Sequence, residues 1–342
     1  MPAEWAKHDA TWLAWPKNPN TFPPRILDKV ESIYCQIISN LSYAEQVKVL
    51  VDDHNIEEKA RKLLESSGYL ESNVLFYKIT SADVWIRDYG PIFLLNRKTG
   101  KKAGVKWSYN AYGNKYSDLL YDDTTGEEVL KASGVKAFRP KMVLEGGSIE
   151  VDGKGTLLTT EQCLLNKNRN PKMTRNQIEN KVKNFTGAES VVWLKGGIEG
   201  DDTDGHVDDF ARFAPGNKIL CCRSDFPGMD ANVLKQNFSI LQNAVDSDGQ
   251  KFEIIHLPMP KPLINTEERR KLPASYANFY IGNKIILLPI FGDANDFRAI
   301  EIVSESFPDR EVVPIMAREL VYGYGGIHCV TQQEPAEIQF DL

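Results

Sequence analysis

Two kinds of patterning alternate along the chain. In RILDKVESIYCQIISNL, the residues Ile26, Val30, Ile33, Ile37 and Leu41 recur at spacings of three and four, which places them on one face of a helix. NIEEKARKLLESSG, TRNQIENKVKNFTG and ANVLKQNFSILQNAVDSDG repeat that spacing, and each ends in a glycine suited to closing a helix. Four other segments read as apolar strand, tight turn, apolar strand: PIFLLNRKTGKKAGVKW, SIEVDGKGTLLTT, DFARFAPGNKILCC and NFYIGNKIILLPIF. Their turn glycines, Gly100, Gly153, Gly216 and Gly282, predict hairpins and recur roughly 60 residues apart, the signature of an internal repeat. A further unit is expected ahead of them, from EQVKVLVDDHN, a helix over about 55–66 and the strand NVLFYKI, without a glycine hairpin of its own. Five units of roughly 68 residues account for the whole chain, so the pattern predicts an α/β fold built as a closed ring of five units. No Pro, Gly or Ser linker interrupts it, and residues 1–342 are expected to form one domain.

Composition narrows the classes. Hydrophobic residues make up 42% and charged residues 26% of the 342, the balance of a soluble globular chain. A net charge of -6 with no dense Lys/Arg block argues against a nucleic-acid partner or an anionic membrane surface, and it suits a small cationic partner. The apolar run IILLPIF is far shorter than the roughly 20 residues that span a bilayer and reads as a buried strand. MPAEWAKHDATWLAWP lacks the basic start and apolar run of a signal peptide. Five cysteines with no CxxC spacing fit a reducing compartment, so a cytoplasmic location is expected. Neighbours Cys221 and Cys222 face opposite ways on a strand and read as core, as does Cys163 in EQCLLN. Oligomeric state is left open, with a homo-oligomer among the partners allowed.

Chemistry gathers in four glycine-rich segments: DVWIRDYGP, VLEGGS, DDTDGHVDDFARF and GGIHC. In a ring, equivalent strand ends converge on the axis, so these segments are expected to meet in one cleft. Taken singly, each carboxylate beside a glycine reads as a turn cap. In an extended chain His206 and Asp208 would face one side, with Val207 turned away. A metal at that pair is the competing reading, but no His or Cys lies at ligand spacing. The acidic run fails as a calcium loop, and GYGGIH fails as a dinucleotide loop because His328 stands where the last glycine is needed. Cys329, in a glycine-loosened loop with a histidine supplied from elsewhere, is the nucleophile candidate against the alternative of a buried filler. His328 should point away from Cys329 in an extended segment, and its role is left open together with that of Tyr324. His8, His54 and His256 have no constellation around them and read as surface or half-buried residues.

DVWIRDYGP, VLEGGSIEVDGKGTLLTTEQCLLNKNRNP, DDTDGHVDDFARF, LPASYANFYIGN and GGIHCVTQQEP, in that order and over nearly the whole chain, resemble the agmatine deiminase and bacterial peptidylarginine deiminase family of guanidine-modifying enzymes. The resemblance implies the pentein fold, a five-unit pseudo-symmetric α/β propeller. It implies Cys329 as nucleophile, His206 as general acid and base, Asp88 and Asp208 as the carboxylates that hold the guanidinium, Glu145 as the acid beside the histidine, and Trp85 as an aromatic lining the substrate channel. Tyr324 and Gly326 replace part of a GGGN run usual in agmatine deiminases, and ARF stands where many members have CCF. These departures bear on the far end of the substrate rather than on the guanidine. A guanidinium is planar and permanently charged, so paired carboxylates can fix its plane while a thiolate attacks its carbon. That chemistry needs no metal and no cofactor. The expected activity is deimination of agmatine to N-carbamoylputrescine and ammonia through an amidino-cysteine. Peptidylarginine or another arginine derivative is the alternative substrate, and a non-catalytic protein that binds guanidino ligands is the alternative of a different class.

Overall fold

A computed structural model describes residues 1–339. The four glycine hairpins form where the sequence placed them. Ile92–Leu95 pairs with Lys102–Val105, Ile149–Val151 with Thr156–Thr160, Ala211–Ala214 with Lys218–Arg223, and Tyr280–Ile281 with Ile285–Ile290, all antiparallel. In each case the second strand is followed by a helix and then by a third strand lying parallel to it: Lys136–Phe138, Ser190–Leu194, Glu253–Pro258 and Glu311–Met316. A parallel partner needs such a crossover, and the amphipathic helix covers one face of the small sheet.

The remaining sheet differs from the expected first unit. Its order is Gln332–Pro335, His8–Ala14, Gln46–Val51, Val74–Lys78. The hairpin missing from the sequence is split between the two ends of the chain: Gln332–Pro335 runs antiparallel to His8–Ala14, which then pairs in parallel with Gln46–Val51 through the helix Pro24–Ser42. NVLFYKI is an added edge strand rather than part of the repeating core. Local spacing cannot announce a hairpin whose arms lie at opposite termini. Among the described residues, five sheets of three or four strands, with one two-stranded ribbon at Ile264–Asn265 and Arg270–Lys271, make a mixed α/β fold.

In Pro24–Ser42 the residues Val30, Ile33, Ile37 and Leu41 are buried, as their register predicts. Two crossover helices had no visible signal. Asp122–Ser133 carries Gly126 at its centre, which weakens helix propensity. The glycine is there for space, because a Cβ would stand 1.9 Å from the Tyr89 carbonyl oxygen. Asp296–Ser306 has Phe297 almost fully exposed, which blurs its apolar stripe.

The paired chain ends are fastened by Glu334. Its carboxylate accepts from Lys48 Nζ at 2.6 Å, Lys102 Nζ at 2.7 Å and the Trp12 indole at 2.9 Å, which joins the last strand to the first, second and fifth strands of the chain. Burial disfavours the charge on Glu334, yet Lys48 and Lys102 more than offset it and hold the carboxyl below the usual range. Removing one partner of such a group strands the others. Glu334→Ala is therefore expected to lower unfolding stability by about 3–5 kcal/mol in urea titrations; a loss within experimental error would show that strand pairing alone closes the chain.

Candidate active site

Asp88 sits on the one-turn helix Ile86–Tyr89 that follows Trp85. Its Oδ1 accepts from the Gly147 backbone N–H at 3.0 Å and its Oδ2 from the Tyr112 hydroxyl at 2.9 Å. His206 Nδ1 stands 3.6 Å from the same Oδ1. Gly147 marks the meeting point of three candidates, since a Cβ there would lie 2.6 Å from His206 Nδ1, 2.9 Å from Asp208 Oδ2 and 3.0 Å from Asp88 Oδ1. Only glycine fits. VLEGGS is thus more than a turn: it lets two acids and an imidazole close on one point.

The basis expected for pairing His206 with Asp208 does not hold. Val207–Asp209 is a single 3₁₀ turn, not an extended strand, and His206 precedes it. Asp201 anchors this bend by accepting from the Gly205 and His206 backbone N–H groups at 2.8 and 3.0 Å. Both side chains still reach the site. Asp208 Oδ2 accepts from His328 Nδ1 at 2.6 Å, and His328 Nε2 reaches Glu4 at 2.7 Å. His328 does turn away from Cys329, but it buries itself as the link that holds Asp208. His8 departs from expectation as well: it is buried, with Nε2 2.7 Å from the Glu4 carbonyl and Nδ1 3.1 Å from Glu45. His54 and His256 are exposed, as read.

Cys329 is 7% exposed and lines the floor of a cavity of about 230 Å³ with Asp88, Trp85 and Tyr112. Asp83, Asp118, Asp202, Glu268, Arg270 and Tyr324 line it too, an excess of acids over one cation. His206, Asp208 and Glu145 lie behind that floor, buried. Asn278, in the quoted LPASYANFYIGN but not singled out, holds the thiol loop: its Nδ2 is 3.3 Å from Cys329 Sγ and 2.9 Å from Asp209 Oδ1, and its Oδ1 accepts from the His328 N–H at 2.9 Å. Gly325 and Gly326 are required because a Cβ would meet the Trp85 ring at 2.3 Å and Asn278 Oδ1 at 2.4 Å. Arg87, beside Asp88, donates to the His328 carbonyl at 3.3 Å and to Gln333 at 2.6 Å, which pins the Cys329 segment against the Asp88 helix. Glu145 is gripped by Arg169 Nε at 2.7 Å. Asp209, Asn278, Arg87 and Arg169 gave no sequence signal, because their work lies in contacts between distant segments.

Charges here are far from their ordinary balance. Burial, then the neighbouring Asp208, Asp209 and Asp88, push the Cys329 thiol well above its usual range. Burial and the charge of Asp208 raise Asp88 to about 6, against the opposing pull of His206. For His206 burial opposes the proton, but Asp88, Cys163 and Asp208 hold the imidazole well above its ordinary value. Burial likewise opposes ionisation of Asp208, and the His328 contact more than offsets it. The surroundings therefore favour a neutral thiol and a protonated imidazole, and of Asp88, Asp208 and Glu145 only Asp88 lines the cavity.

The family model described as Porphyromonas-type peptidyl-arginine deiminase matches residues 1–335. A protein of Medicago truncatula named agmatine deiminase is 36% identical, over 98% of this chain and 96% of its own. The solved agmatine deiminase of Enterococcus faecalis shares 31% identity and a TM-score of 0.88 over 99% of this chain and 96% of that one. A C. jejuni agmatine deiminase solved with substrate bound shares 29% identity and a TM-score of 0.86, with the same coverage.

If neighbouring carboxylates suppress the thiolate, removing one must release it. Asp88→Asn is expected to move the pH midpoint of Cys329 alkylation by iodoacetamide down by about one unit; an unchanged or raised midpoint would remove Asp88 as a cause.

Proposed function

We propose, for a chain that belongs to the Porphyromonas-type peptidyl-arginine deiminase family, that it hydrolyses agmatine to N-carbamoylputrescine and ammonia through a covalent amidino-cysteine. The observation that carries the reading is a thiol and Asp88 sharing the floor of an acid-lined cavity, with His206 3.6 Å from Asp88. The five sheets are read as five units around this site in a single domain. No helix among the described residues is long and apolar enough to cross a membrane, and all five cysteines are free, which fits a reducing compartment.

A guanidinium entering against Asp88, with an N–H reaching the unpartnered Asp208 Oδ1 behind the floor, supplies the positive charge the Cys329 thiol lacks, so the thiol loses its proton to bulk water on binding. Charge-assisted hydrogen bonds from the guanidinium N–H groups fix its plane, and the sulfur attacks the central carbon from the open face. The S–C bond forms as one C=N pair moves to nitrogen. The His206 imidazolium gives its proton to that nitrogen, the C–N bond breaks, and ammonia leaves. Neutral His206 then takes a proton from water as its oxygen adds to the amidinium carbon. Collapse breaks the S–C bond, the hydroxyl proton passes to the departing Cys329 sulfur, and the neutral ureido product is released. Glu145, held by Arg169, stands within 4.8 Å of the imidazole as a charged neighbour rather than a hydrogen-bond partner.

The cavity favours a small free substrate with a cationic tail over an arginine embedded in a peptide. Arg270 ion-pairs with Asp202, and Glu268 accepts from the Tyr324 hydroxyl at 2.5 Å, so the ribbon Ile264–Lys271 is tied across the cavity's lining. Peptidylarginine, the substrate in the family's description, is the second reading.

Incubation with agmatine, free arginine and an arginine peptide, scored for ammonia and ureido product, is expected to favour agmatine; no turnover of any of them would leave only ligand binding. Cys329→Ala should abolish ammonia release and the amidino adduct seen by mass spectrometry while retaining agmatine binding. His206→Ala should lower kcat by about 10²–10⁴-fold, the contribution of one positioned acid–base group. Because Asp88 is raised to about 6, it is protonated and unable to grip the cation below that pH. The value of kcat/KM for agmatine is therefore expected to fall as pH drops through about 6; a profile flat down to pH 5 would separate Asp88 from guanidinium binding.

A further inference from the structure

Cys163 is buried, as its sequence suggested, but what it packs against is the site. A ligand atom each from Cys163, Glu145 and His206 all lie within 4.8 Å of one another. Glu145 Oε2 and His206 Nε2 find no hydrogen-bond partner among the described residues, although both are fully buried. Buried polar atoms are seldom left so. Arg169 fixes the other Glu145 oxygen, so this carboxylate cannot swing to a new partner.

Thiolate, imidazole and carboxylate form a ligand set for a borderline-soft divalent ion. With zinc–sulfur bonds of about 2.3 Å and zinc–nitrogen bonds of about 2.0–2.1 Å, tetrahedral ligands stand roughly 3.3–3.8 Å apart, so the cluster needs only a small contraction. We propose that Glu145, Cys163 and His206 bind a soft divalent cation of the zinc or cadmium kind, and that the bound ion arrests turnover by occupying the His206 ring nitrogen. Binding releases two protons, one from the Cys163 thiol and one from the His206 imidazolium, and the two positive charges of the ion neutralise the thiolate and the carboxylate. The fourth position is left for water. A metal at His206 was set aside on sequence spacing alone; the fold supplies the missing sulfur from the strand–helix junction at Thr160.

Binding is tested without activity. In a Cys329→Ala protein, which removes the nucleophile's own thiol, titration with cadmium is expected to raise one sulfur-to-cadmium charge-transfer band per chain. Adding Cys163→Ser should abolish the band and weaken cadmium binding by at least about tenfold. Adding Glu145→Gln instead should weaken binding and keep the band. In the protein with Cys329 intact, zinc is expected to stop ammonia release reversibly by chelation, and Cys163→Ser should be at least about tenfold less sensitive. An undiminished band in the Cys329→Ala/Cys163→Ser protein, no cadmium binding to Cys329→Ala, or equal zinc sensitivity with and without Cys163 would each overturn the site. Where Cys163→Ser does not fold, the Glu145→Gln arm decides by the same loss of affinity.

Discussion

Asp88, Asp208 and Asp209 are buried around the Cys329 thiol, with Glu145 buried close to Asp88, and the architecture is organised by the need to compensate them. Taking a carboxylate out of water costs several kcal/mol unless charge or hydrogen bonds replace what water gave. Glu145 has Arg169 and Asp208 has His328. Burial and the adjacent Asp208 push Asp209 far up, and its carboxyl accepts from Asn278. Asp88 has a backbone N–H, a phenol and an imidazole, but no permanent cation against it. The charge left unbalanced is the one that faces the cavity.

Compensation does not stop at the first neighbours. His328 passes from Asp208 to Glu4, and Glu4 lies 3.1 Å from Arg212 and 3.5 Å from Arg87. Arg212 in turn lies 3.3 Å from Glu150. A residue four positions from the N-terminus thus sits at the centre of a network that holds the C-terminal His328–Cys329 pair. The same ends meet as strands of one sheet, clasped by Glu334. The site therefore exists only once residues 332–335 have paired with residues 8–14, and contacts of such long separation are the ones whose loop-closure entropy is met last in folding.

This geometry decides what could be read from the sequence. Glycine hairpins and amphipathic helices are local, so four of the five sheets and the helices with clean apolar stripes were legible. The first sheet was not, because its hairpin has arms at positions 8–14 and 332–335. Asp122–Ser133 was hidden by Gly126, a residue chosen for the Tyr89 carbonyl rather than for the helix. Cys329, His206, Asp88, Asp208 and Glu145 were candidates because they lie in glycine-rich segments that also carry the family resemblance, and the structure gives the glycines a cause: Gly147 and Gly326 are small because His206, Asp208, Asp88 and Asn278 need the space. Arg87, Arg169, Asn278 and Asp209 carry no such flag. Each looks ordinary in its own segment and acquires a task only from a partner dozens or hundreds of residues away.

The raised thiol of Cys329 has a thermodynamic counterpart. If a bound cation lowers the thiol's pKa, then deprotonating the thiol must tighten cation binding by the same factor, since the two equilibria share one cycle. On the proposed mechanism, carboxylates that keep the sulfur protonated in the empty site make substrate binding and nucleophile formation one event. A neutral analogue of the same shape would occupy the floor without drawing the proton away. On that mechanism, discrimination between a guanidinium and a neutral isostere rests on both the grip of Asp88 and Asp208 and the state of the sulfur, and the resting protein is spared a thiolate open to oxidants.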